Sequence, residues 1–288
     1  MSLHTGLVDI IDIEPLLTRL AESRDEYASA SPYPHIVIDD ALPPAVFGAA
    51  AAEFPVPHDA SWIGYLHVNE TKFANPRPAT WGPTLQELAA TLCTDEFVKT
   101  LSKLTGFEHL VADPTMDGGG LHQTLRGGHL NVHADFTTHH RHPELRRRVN
   151  VLLYLNEGWN PEWGGALELW DAGVRSCVRR VEPIANRLLI FTTSDEAYHG
   201  HPDALACPAG VARRSLALYY FTEEEHPVRR ATRYRPRPGD GVKGAAIWAD
   251  RQALALFDQM RVRLGVSGAA ASRVLEQGFR LLRRSRPA

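Results

Sequence analysis

Residues 149–156 read Val149-Asn150-Val151-Leu152-Leu153-Tyr154-Leu155-Asn156, an apolar and largely β-branched or leucine-rich run followed by Glu157-Gly158. A run this short between turn signals favours a buried β-strand over a helix, which needs a longer stretch. Other short runs of this kind lie along the chain, namely Ala166–Trp170, Cys177–Val181, Leu188–Thr192 and Ser215–Phe221. Glycine and proline separate them, and no helical period intervenes. Short strands at this spacing predict an antiparallel sandwich or barrel.

Helical segments are predicted on both sides of this β region. Residues 12–30 carry apolar side chains at helical spacing, which predicts an amphipathic helix. The remaining predicted elements are a strand over His35–Ile38 and several helices. These helices are one that Pro43-Pro44 opens and that runs to about Phe54, and others at about 83–92, at about 95–105 with Thr94 as N-cap, at about 249–264 and at about 268–284. Residues 55–82 are rich in proline, tryptophan and asparagine and are predicted to be a long loop.

The composition excludes several classes of protein. Of the 288 residues, 44% are hydrophobic and 23% are charged, as in ordinary globular proteins. The net charge of −3 gives no field that would attract nucleic acid or an anionic membrane. No apolar run approaches the ~20 residues of a membrane span, and the three cysteines form no disulfide framework. We therefore expect a cytoplasmic protein that binds neither nucleic acid nor membrane.

The segment His133-Ala134-Asp135 is a candidate metal site. Residues i and i+2 of an extended segment point to the same side, so an imidazole and a carboxylate at this spacing can hold one ion. A second histidine from a distant strand would complete a face of two histidines and one carboxylate, which suits Fe(II) oxygen chemistry. The motif is short, however. The chain contains the same form at His201-Pro202-Asp203 and a near match at His142-Pro143-Glu144, both of which we expect to lie in loops.

Two neighbouring features are suited to binding an anion. Arg213 and Arg214 precede the strand Ser215–Phe221, and an inward guanidinium there can bind a carboxylate as a fork. Adjacent strand residues face opposite sides, so parity decides which arginine points inward, and either alone could be a solvated charge. Tyr154 lies in a nearly all-apolar strand, and its hydroxyl needs a partner, either a bound carboxylate or a backbone carbonyl.

From about residue 119 to 222 the chain resembles the prolyl-4-hydroxylase-like branch of the 2-oxoglutarate/Fe(II) dioxygenases. The resemblance implies an α+β protein with a mainly β core, a double-stranded β-helix (jelly-roll or cupin-like), flanked by helices. The resemblance rests on the order and spacing of several stretches. These are His133-Ala134-Asp135-Phe136, Tyr154–Trp159, Gly164–Leu169, Asn186–Phe191 with His199 eight residues later, and Arg213-Arg214-Ser215 leading into Tyr219-Tyr220-Phe221.

The resemblance also implies a division of the chain into three parts. Residues 1–110 would be a helical and strand flank of the catalytic domain, and residues 111–225 would be the double-stranded β-helix that holds Fe(II) and 2-oxoglutarate. Residues 226–288 would form a C-terminal helical appendage, through which a homodimer could form.

The metal ligands implied by the resemblance are His133 and Asp135, which match the proximal iron ligands, and His199, which matches the distal ligand. His201 is the alternative for the distal position. Halogenating relatives replace the carboxylate ligand to make room for a halide. Asp135 therefore favours hydroxylation, or a related two-electron oxidation, over halogenation.

The co-substrate residues are implied in the same way. Arg213 lies two residues before Ser215 and matches the residue that binds the distal carboxylate of 2-oxoglutarate. Tyr154 matches a tyrosine that helps to bind that carboxylate. Gln123, ten residues before His133, falls where relatives often place a polar or aromatic side chain near the co-substrate.

The implied reaction uses Fe(II), 2-oxoglutarate and O2, with ascorbate as a candidate reductant. It would hydroxylate an unactivated C–H bond of a protein side chain, prolyl-like, or of a small molecule, and release succinate and CO2. Two alternatives stay open, a cupin-like metalloenzyme that needs no 2-oxoglutarate and a non-catalytic β-barrel binding protein. The sequence does not select the substrate. Trp62, Tyr65 and Trp81 of the early loop are the predicted substrate contacts.

Overall fold

The structure is a computed structural model that describes residues 11–56, 61–250 and 252. Within these residues, thirteen strands form one continuous sheet that folds into a nearly closed barrel. The strands are β1 (His35–Ile38), β2 (Ile63–Leu66), β3 (Glu70–Asn75), β4 (Val111–Ala112), β5 (Gly120–Leu125), β6 (His129–Ala134), β7 (Leu145–Tyr154), β8 (Leu167–Trp170), β9 (Cys177–Val181), β10 (Leu188–Thr192), β11 (His199–His201), β12 (Ala212–Glu223) and β13 (Arg233–Tyr234). The helices are α1 (Glu14–Glu22), α2 (Arg24–Ser29), α3 (Pro44–Ala52), α4 (Pro83–Thr91) and α5 (Asp95–Thr105), and residues 241–250 are also helical.

The strands β5 to β12 form two antiparallel layers. One layer has the order β10-β7-β12-β5 and the other has the order β6-β11-β8-β9. Strand β3 pairs with both β5 and β6, so it joins the two layers along one edge. This arrangement is the predicted double-stranded β-helix.

The middle of the first layer is buried on both faces, which explains the apolar runs Val151–Leu155 and Leu188–Phe191. On the inner face, Tyr154 packs with Leu167, Leu189 and Phe191 between the layers. On the outer face, Leu153 packs into the core that the helices cover. Because neighbouring strand residues point to opposite sides, the stretch Val151–Leu153 of β7 needs an apolar residue at every position.

Most of the predicted elements are confirmed. The strands His35–Ile38, Cys177–Val181 and Leu188–Thr192 have the predicted bounds. The helix predicted over residues 12–30 is interrupted at Ser23, between α1 and α2. The hydroxyl of Thr94 accepts a hydrogen bond from the Phe97 amide and caps α5 as expected.

The prediction of a long loop over residues 55–82 is wrong. This segment contains β2 and β3, which pair with each other and join the barrel. Trp81 is buried in the helix-covered core, and the ring of Trp62 packs 5.9 Å from that of Phe54. Neither tryptophan therefore belongs to a substrate lid, although Tyr65 on β2 lies near Lys72 at the edge of the barrel.

The C-terminal part also differs from its prediction. Strand β13 pairs with β6, so the stretch after residue 226 begins as part of the barrel wall, not as a helical appendage. Helix starts at residue 241, earlier than predicted. Nearly all of the predicted helices 249–264 and 268–284 lies outside the described residues, as does any dimer interface that they would form. Within the described part of the chain, no helix has the length and apolar character needed to cross a bilayer.

Candidate active site

His133, Asp135 and His199 are brought together at one end of the barrel. Strands β6 and β11 are neighbours, and their register places His133 directly opposite His199. Asp135 follows the last residue of β6 and lies on the same side as His133. Nε2 of His133 is 3.4 Å from Oδ1 of Asp135, and Nε2 of His199 is 3.5 Å from Oδ2. One ligand atom from each residue lies within 4.8 Å of the other two, so the three side chains can share one metal ion.

Both imidazoles are held with Nε2 facing the carboxylate. Nδ1 of His133 lies 2.9 Å from the carbonyl oxygen of Asn131, and Nδ1 of His199 lies 2.9 Å from that of Ala197. A carbonyl oxygen only accepts, so each Nδ1 carries the hydrogen and each Nε2 keeps its lone pair for a metal. Burial is the main cause that lowers the pKa of His199 to about 4, against the opposing effect of Asp135. His199 is therefore neutral at pH 7, as metal binding requires.

A buried arginine that the sequence analysis did not single out contacts Asp135. Nη2 of Arg147 lies 3.0 Å from Oδ2 of Asp135, and Nδ2 of Asn150 donates to the same oxygen over 2.8 Å. Burial works to raise the pKa of Asp135, but Arg147 and the two histidines outweigh it and hold this pKa well below its usual value. Asp135 is therefore ionised and oriented before any metal binds.

Arg213 lies deeper in the barrel and points inward. Its exposed fraction is 6%, its Nε donates to the Gly165 carbonyl over 2.7 Å, and its Nη2 donates to the Tyr154 hydroxyl over 3.2 Å. Burial is the main cause that lowers the pKa of Arg213. These partners are a carbonyl and a hydroxyl, so no carboxylate within the described residues forms an ion pair with this guanidinium. Such an arrangement leaves a buried positive charge available for an anion.

Strand parity separates Arg213 from its neighbour. Arg214 lies on the outer face of β12, where its guanidinium carbon is 5.2 Å from the ring centroid of Phe54. Ser215, two residues after Arg213, is paired with Tyr154 of β7, so Arg213, Ser215 and Tyr154 share the inner face. The inward arginine is therefore the one that matches the family pattern.

The structure contradicts the position expected for Gln123. This residue is paired with Arg214 on one side and with Phe73 on the other, so it lies on the outer face of β5, away from Arg213. Its neighbour His122 is paired with Ser215 and faces the interior instead. Gln123 does lie ten residues before His133, but the pairing of β5 with β12 turns its side chain away from the inner face, where Arg213 lies.

His201 does not lie in a loop, as we expected, but in strand β11. It is buried, and a register shift between His199 and His201 pairs it with Leu130. It does not belong to the group of three potential ligands found among the described residues. Of the two candidates for the distal position, the geometry favours His199. His142, from the other near match, is half-exposed and forms an ion pair with Glu144 over 3.3 Å.

Comparison with known families gives a match to the part of the chain that forms the site. Residues 119–221 match the family model described as the 2OG-Fe(II) oxygenase superfamily. This segment is a 2OG-Fe(II) oxygenase domain. It runs from the start of β5 to near the end of β12, and it contains the three potential metal ligands together with Tyr154 and Arg213.

Solved structures share the fold of this oxygenase domain and its flanks. A Pseudomonas putida prolyl 4-hydroxylase is 23% identical with a TM-score of 0.51, and the match covers 71% of this chain and 99% of that one. A Trichoplax adhaerens prolyl hydroxylase, in complex with a hypoxia inducible factor peptide fragment, is 16% identical with a TM-score of 0.52, over 71% of this chain and 90% of that one. A Phytophthora capsici prolyl 4-hydroxylase is 21% identical with a TM-score of 0.51, over 75% of this chain and 67% of that one. The oxygenase domain therefore has the fold of the prolyl 4-hydroxylases.

The residues of the site fit the cofactor and the co-substrate that give the superfamily its name. Two imidazoles and one carboxylate on one face are the donor set of non-haem Fe(II) oxygenases. The buried Arg213, which has a tyrosine hydroxyl beside it and no carboxylate partner in the described structure, fits the distal carboxylate of 2-oxoglutarate.

Proposed function

We propose that this chain is an Fe(II)- and 2-oxoglutarate-dependent dioxygenase that hydroxylates a C–H bond, with the iron held by His133, Asp135 and His199. The observation that carries the proposal is the convergence of the two Nε2 atoms and the carboxylate, while both Nδ1 atoms are held by backbone carbonyls. A cupin-like enzyme could use the same three ligands. The buried Arg213, which forms no ion pair with a carboxylate among the described residues, favours a reaction that needs 2-oxoglutarate.

Arg213 and Tyr154 are the residues proposed to bind the distal carboxylate of 2-oxoglutarate. Nη2 of Arg213 already donates to the Tyr154 oxygen, so the phenolic hydrogen is available to an incoming carboxylate oxygen. Both side chains are buried, so the carboxylate would meet preformed donors in a region of low dielectric. Gln123 has no part in this proposal, because it lies on the outer face of β5.

When bound, Fe(II) and 2-oxoglutarate supply the oxidising chemistry, in which decarboxylation to succinate and CO2 accompanies insertion of an oxygen atom into a C–H bond. The protein positions the reacting groups and excludes water from the site. The ring of Phe191 packs against that of His199 at 4.8 Å, and Leu167, Leu169 and Leu189 line the inner face beside Tyr154. These apolar side chains restrict water and so protect reactive species from side reactions.

The substrate belongs to one of two classes, a protein side chain such as proline or a small molecule. Fold likeness to prolyl hydroxylases supports the first class, and the carboxylate ligand Asp135 supports hydroxylation over halogenation in either class. Cytoplasmic localisation also stays a prediction, with which the free thiols of Cys93, Cys177 and Cys207 agree.

The experiment is to measure succinate formed from 2-oxoglutarate by purified protein with Fe(II) and ascorbate, with and without candidate prolyl peptides and amino acids. We expect iron-dependent succinate release that an active substrate stimulates. The Arg213→Met variant should lose this release at low 2-oxoglutarate, whereas the matched outer-face variant Arg214→Met should keep it. Oxygen consumption that needs iron but not 2-oxoglutarate would favour the cupin-like enzyme. If neither 2-oxoglutarate binding nor turnover is found, the chain is a binding protein.

A further inference from the structure

Arg147 is an unusual residue for the interior of a barrel. Its exposed fraction is 2%, and its guanidinium carbon lies 3.3 Å from the ring centroid of Tyr219 and 4.6 Å from that of Phe136. Charged side chains are seldom fully buried unless they are paired. The partner of Arg147 is the carboxylate of Asp135. This pair joins the candidate metal site to strand β7.

A β-bulge in β7 turns Arg147 inward. Tyr219 is paired with Asn150, and Tyr220 with Val149, but Phe221 is paired with Arg147, so Arg148 is an extra residue in β7. Without the bulge, the alternation from Asn150 would put Arg148 on the inner face and Arg147 outside. Bulges often direct a side chain next to an active site. Here the bulge leaves Arg148 on the outer face, where Nε donates to Thr222 and the guanidinium pairs with Glu224.

The ion pair and the hydrogen bond that hold Asp135 are both made by one oxygen. Oδ2 faces Nη2 of Arg147 at 3.0 Å and accepts from Nδ2 of Asn150 at 2.8 Å. Asn150 is itself fixed, because its Oδ1 accepts from Nε of Arg147 at 2.8 Å and from the hydroxyl of Thr193 at 3.1 Å. A carboxylate oxygen has two lone pairs in the carboxylate plane. Oδ2 therefore carries both the ion pair with Arg147 and the hydrogen bond from Asn150, although it also lies 3.5 Å from Nε2 of His199, whereas Oδ1 lies 3.4 Å from Nε2 of His133.

We propose that Arg147 is a positioning residue that, together with Asn150, restrains Asp135 to bind the metal through Oδ1 alone. This inference rests on the proposed function, since it concerns the same ligands. A carboxylate that binds through one oxygen occupies one position on the ion, whereas a freely turning carboxylate can take two. The Arg147–Asn150 pair thus keeps one more position open for 2-oxoglutarate and oxygen.

The proposal predicts a particular pattern of metal binding. Partners that orient a metal ligand typically contribute about 10- to 100-fold in metal affinity. We therefore expect Arg147→Met to weaken Mn(II) binding by about 10- to 100-fold, and to change the visible absorption spectrum of the Co(II)-loaded protein. The spectrum reports coordination number, which a purely structural role of Arg147 would leave unchanged. Arg147→Lys should recover part of the affinity and of the spectrum, because one ammonium can still donate to Oδ2.

The adjacent arginine provides a matched control. Arg148→Met removes the same charge one residue away on the outer face, so its Mn(II) affinity and Co(II) spectrum should equal those of the wild type. Asn150→Ala removes the second donor to Oδ2 by a different route and should also change the Co(II) spectrum. If Arg147→Met does not fold, as circular dichroism and thermal unfolding would reveal, Arg147→Lys and Asn150→Ala decide the matter.

The outcomes separate this inference from the proposed function. If the wild-type protein binds no Mn(II) with one-to-one stoichiometry, the proposed ligand set itself fails. If the wild type binds Mn(II) but folded Arg147→Met, or the Arg147→Lys and Asn150→Ala pair in its place, has equal or higher affinity and an unchanged Co(II) spectrum, only the role of Arg147 is overturned.

Discussion

Arg213 and Tyr154 meet inside the barrel although 59 positions separate them in the chain, with Nη2 of the arginine donating to the phenolic oxygen over 3.2 Å. The guanidinium carbon lies 5.0 Å from the tyrosine ring centroid, and both side chains are buried. Their strands are hydrogen-bonded neighbours whose register pairs Ser215 with Tyr154. An arginine and a tyrosine on facing positions of the same inner surface are suited to bind a carboxylate, as we propose.

Arg213→Met should therefore weaken binding of 2-oxoglutarate to the Mn(II)-loaded protein. Charged hydrogen bonds contribute about 1.5 to 3 kcal/mol each, which corresponds to about a 10- to 100-fold loss. Titration calorimetry measures the dissociation constant directly. Arg214→Met is the control, since Arg214 lies on the outer face beside Phe54 and should leave the constant unchanged. Equal losses in the two variants would contradict the assignment of Arg213.

Tyr154→Phe should have a smaller effect of the same kind. The variant keeps the ring that packs with Leu167 and Phe191 but removes the hydroxyl. A neutral hydrogen bond contributes about 1 kcal/mol, so we expect the dissociation constant for 2-oxoglutarate to be about fivefold larger. The same calorimetric titration checks it, and far-UV circular dichroism should be unchanged. If the variant had the same dissociation constant for 2-oxoglutarate as the wild type, the hydroxyl would only accept the hydrogen bond from Arg213 and would not bind the co-substrate.

Asp135→Ala should abolish tight metal binding and lower the stability of the metal-free protein. It removes one of three ligands and leaves the buried guanidinium of Arg147 without its carboxylate. Breaking a buried pair by removing one partner costs about 3 to 5 kcal/mol. Equilibrium dialysis with Mn(II) measures the first effect and urea unfolding the second. Retention of one equivalent of tightly bound Mn(II) would show that other residues form the metal site.

The barrel strands were predictable where a short β-forming run lies between turn signals, and unpredictable where pairing alone holds a strand. Residues 188–191 are all apolar and buried, and the bounds of their strand, Leu188–Thr192, were predicted correctly. By contrast, β3 has the sequence Glu-Thr-Lys-Phe-Ala-Asn, which shows no strand pattern. It is a strand because its backbone completes the edges of β5 and β6. That is a tertiary contact, and no local pattern reports it.

The site shows the same division. His133 and Asp135 could be paired from the sequence, because the rule that residues i and i+2 share a face needs no knowledge of the fold. Gln123 was placed wrongly, since its distance from His133 spans the β5–β6 turn and the register there is set by pairing with β12. Arg147 was missed because the bulge at Arg148 reverses the alternation along β7. The signal in the sequence was the run of three arginines, Arg146–Arg148, directly before the apolar part of the strand.

The stability of the protein should depend on pH through His67. Its Nε2 lies 3.0 Å from Glu70, and its Nδ1 lies 3.3 Å from Asp250. Burial alone would lower the pKa of His67, but hydrogen bonds to Asp250 and Glu70 outweigh it and raise this pKa to about 9. A histidine with a raised pKa stabilises the fold fully below its unfolded pKa of about 6.5 and loses this contribution as the pH rises through the folded value.

We therefore expect the free energy of unfolding to fall by on the order of 2 to 3 kcal/mol between about pH 6.5 and about pH 9 because of His67. Urea unfolding across this range measures it. His67→Gln should lack that part of the decrease, whereas His142→Gln should keep it, because His142 and its ion-pair partner Glu144 are both about half-exposed. If the free energy of unfolding of His67→Gln depended on pH in the same way as that of the wild type, His67 would not be the cause of the decrease.

Gly165→Ala should damage co-substrate binding as well as stability, whereas Gly164→Ala should affect stability alone. Both glycines have positive φ, of 81° and 74°, so alanine is strained at either position by about 1 kcal/mol or more. A methyl group on Gly164 would meet no neighbour within 4 Å, but on Gly165 it would lie 2.8 Å from Leu205 and 3.1 Å from Cδ of Arg213. Arg213 would have to shift, and its hydrogen bond to the Gly165 carbonyl would shift with it.

Thermal unfolding should show both variants to be less stable, and only Gly165→Ala should bind 2-oxoglutarate more weakly. Equal affinities for 2-oxoglutarate in the two variants would mean that Arg213 can move without weakening co-substrate binding, and that Gly165 does not fix its position.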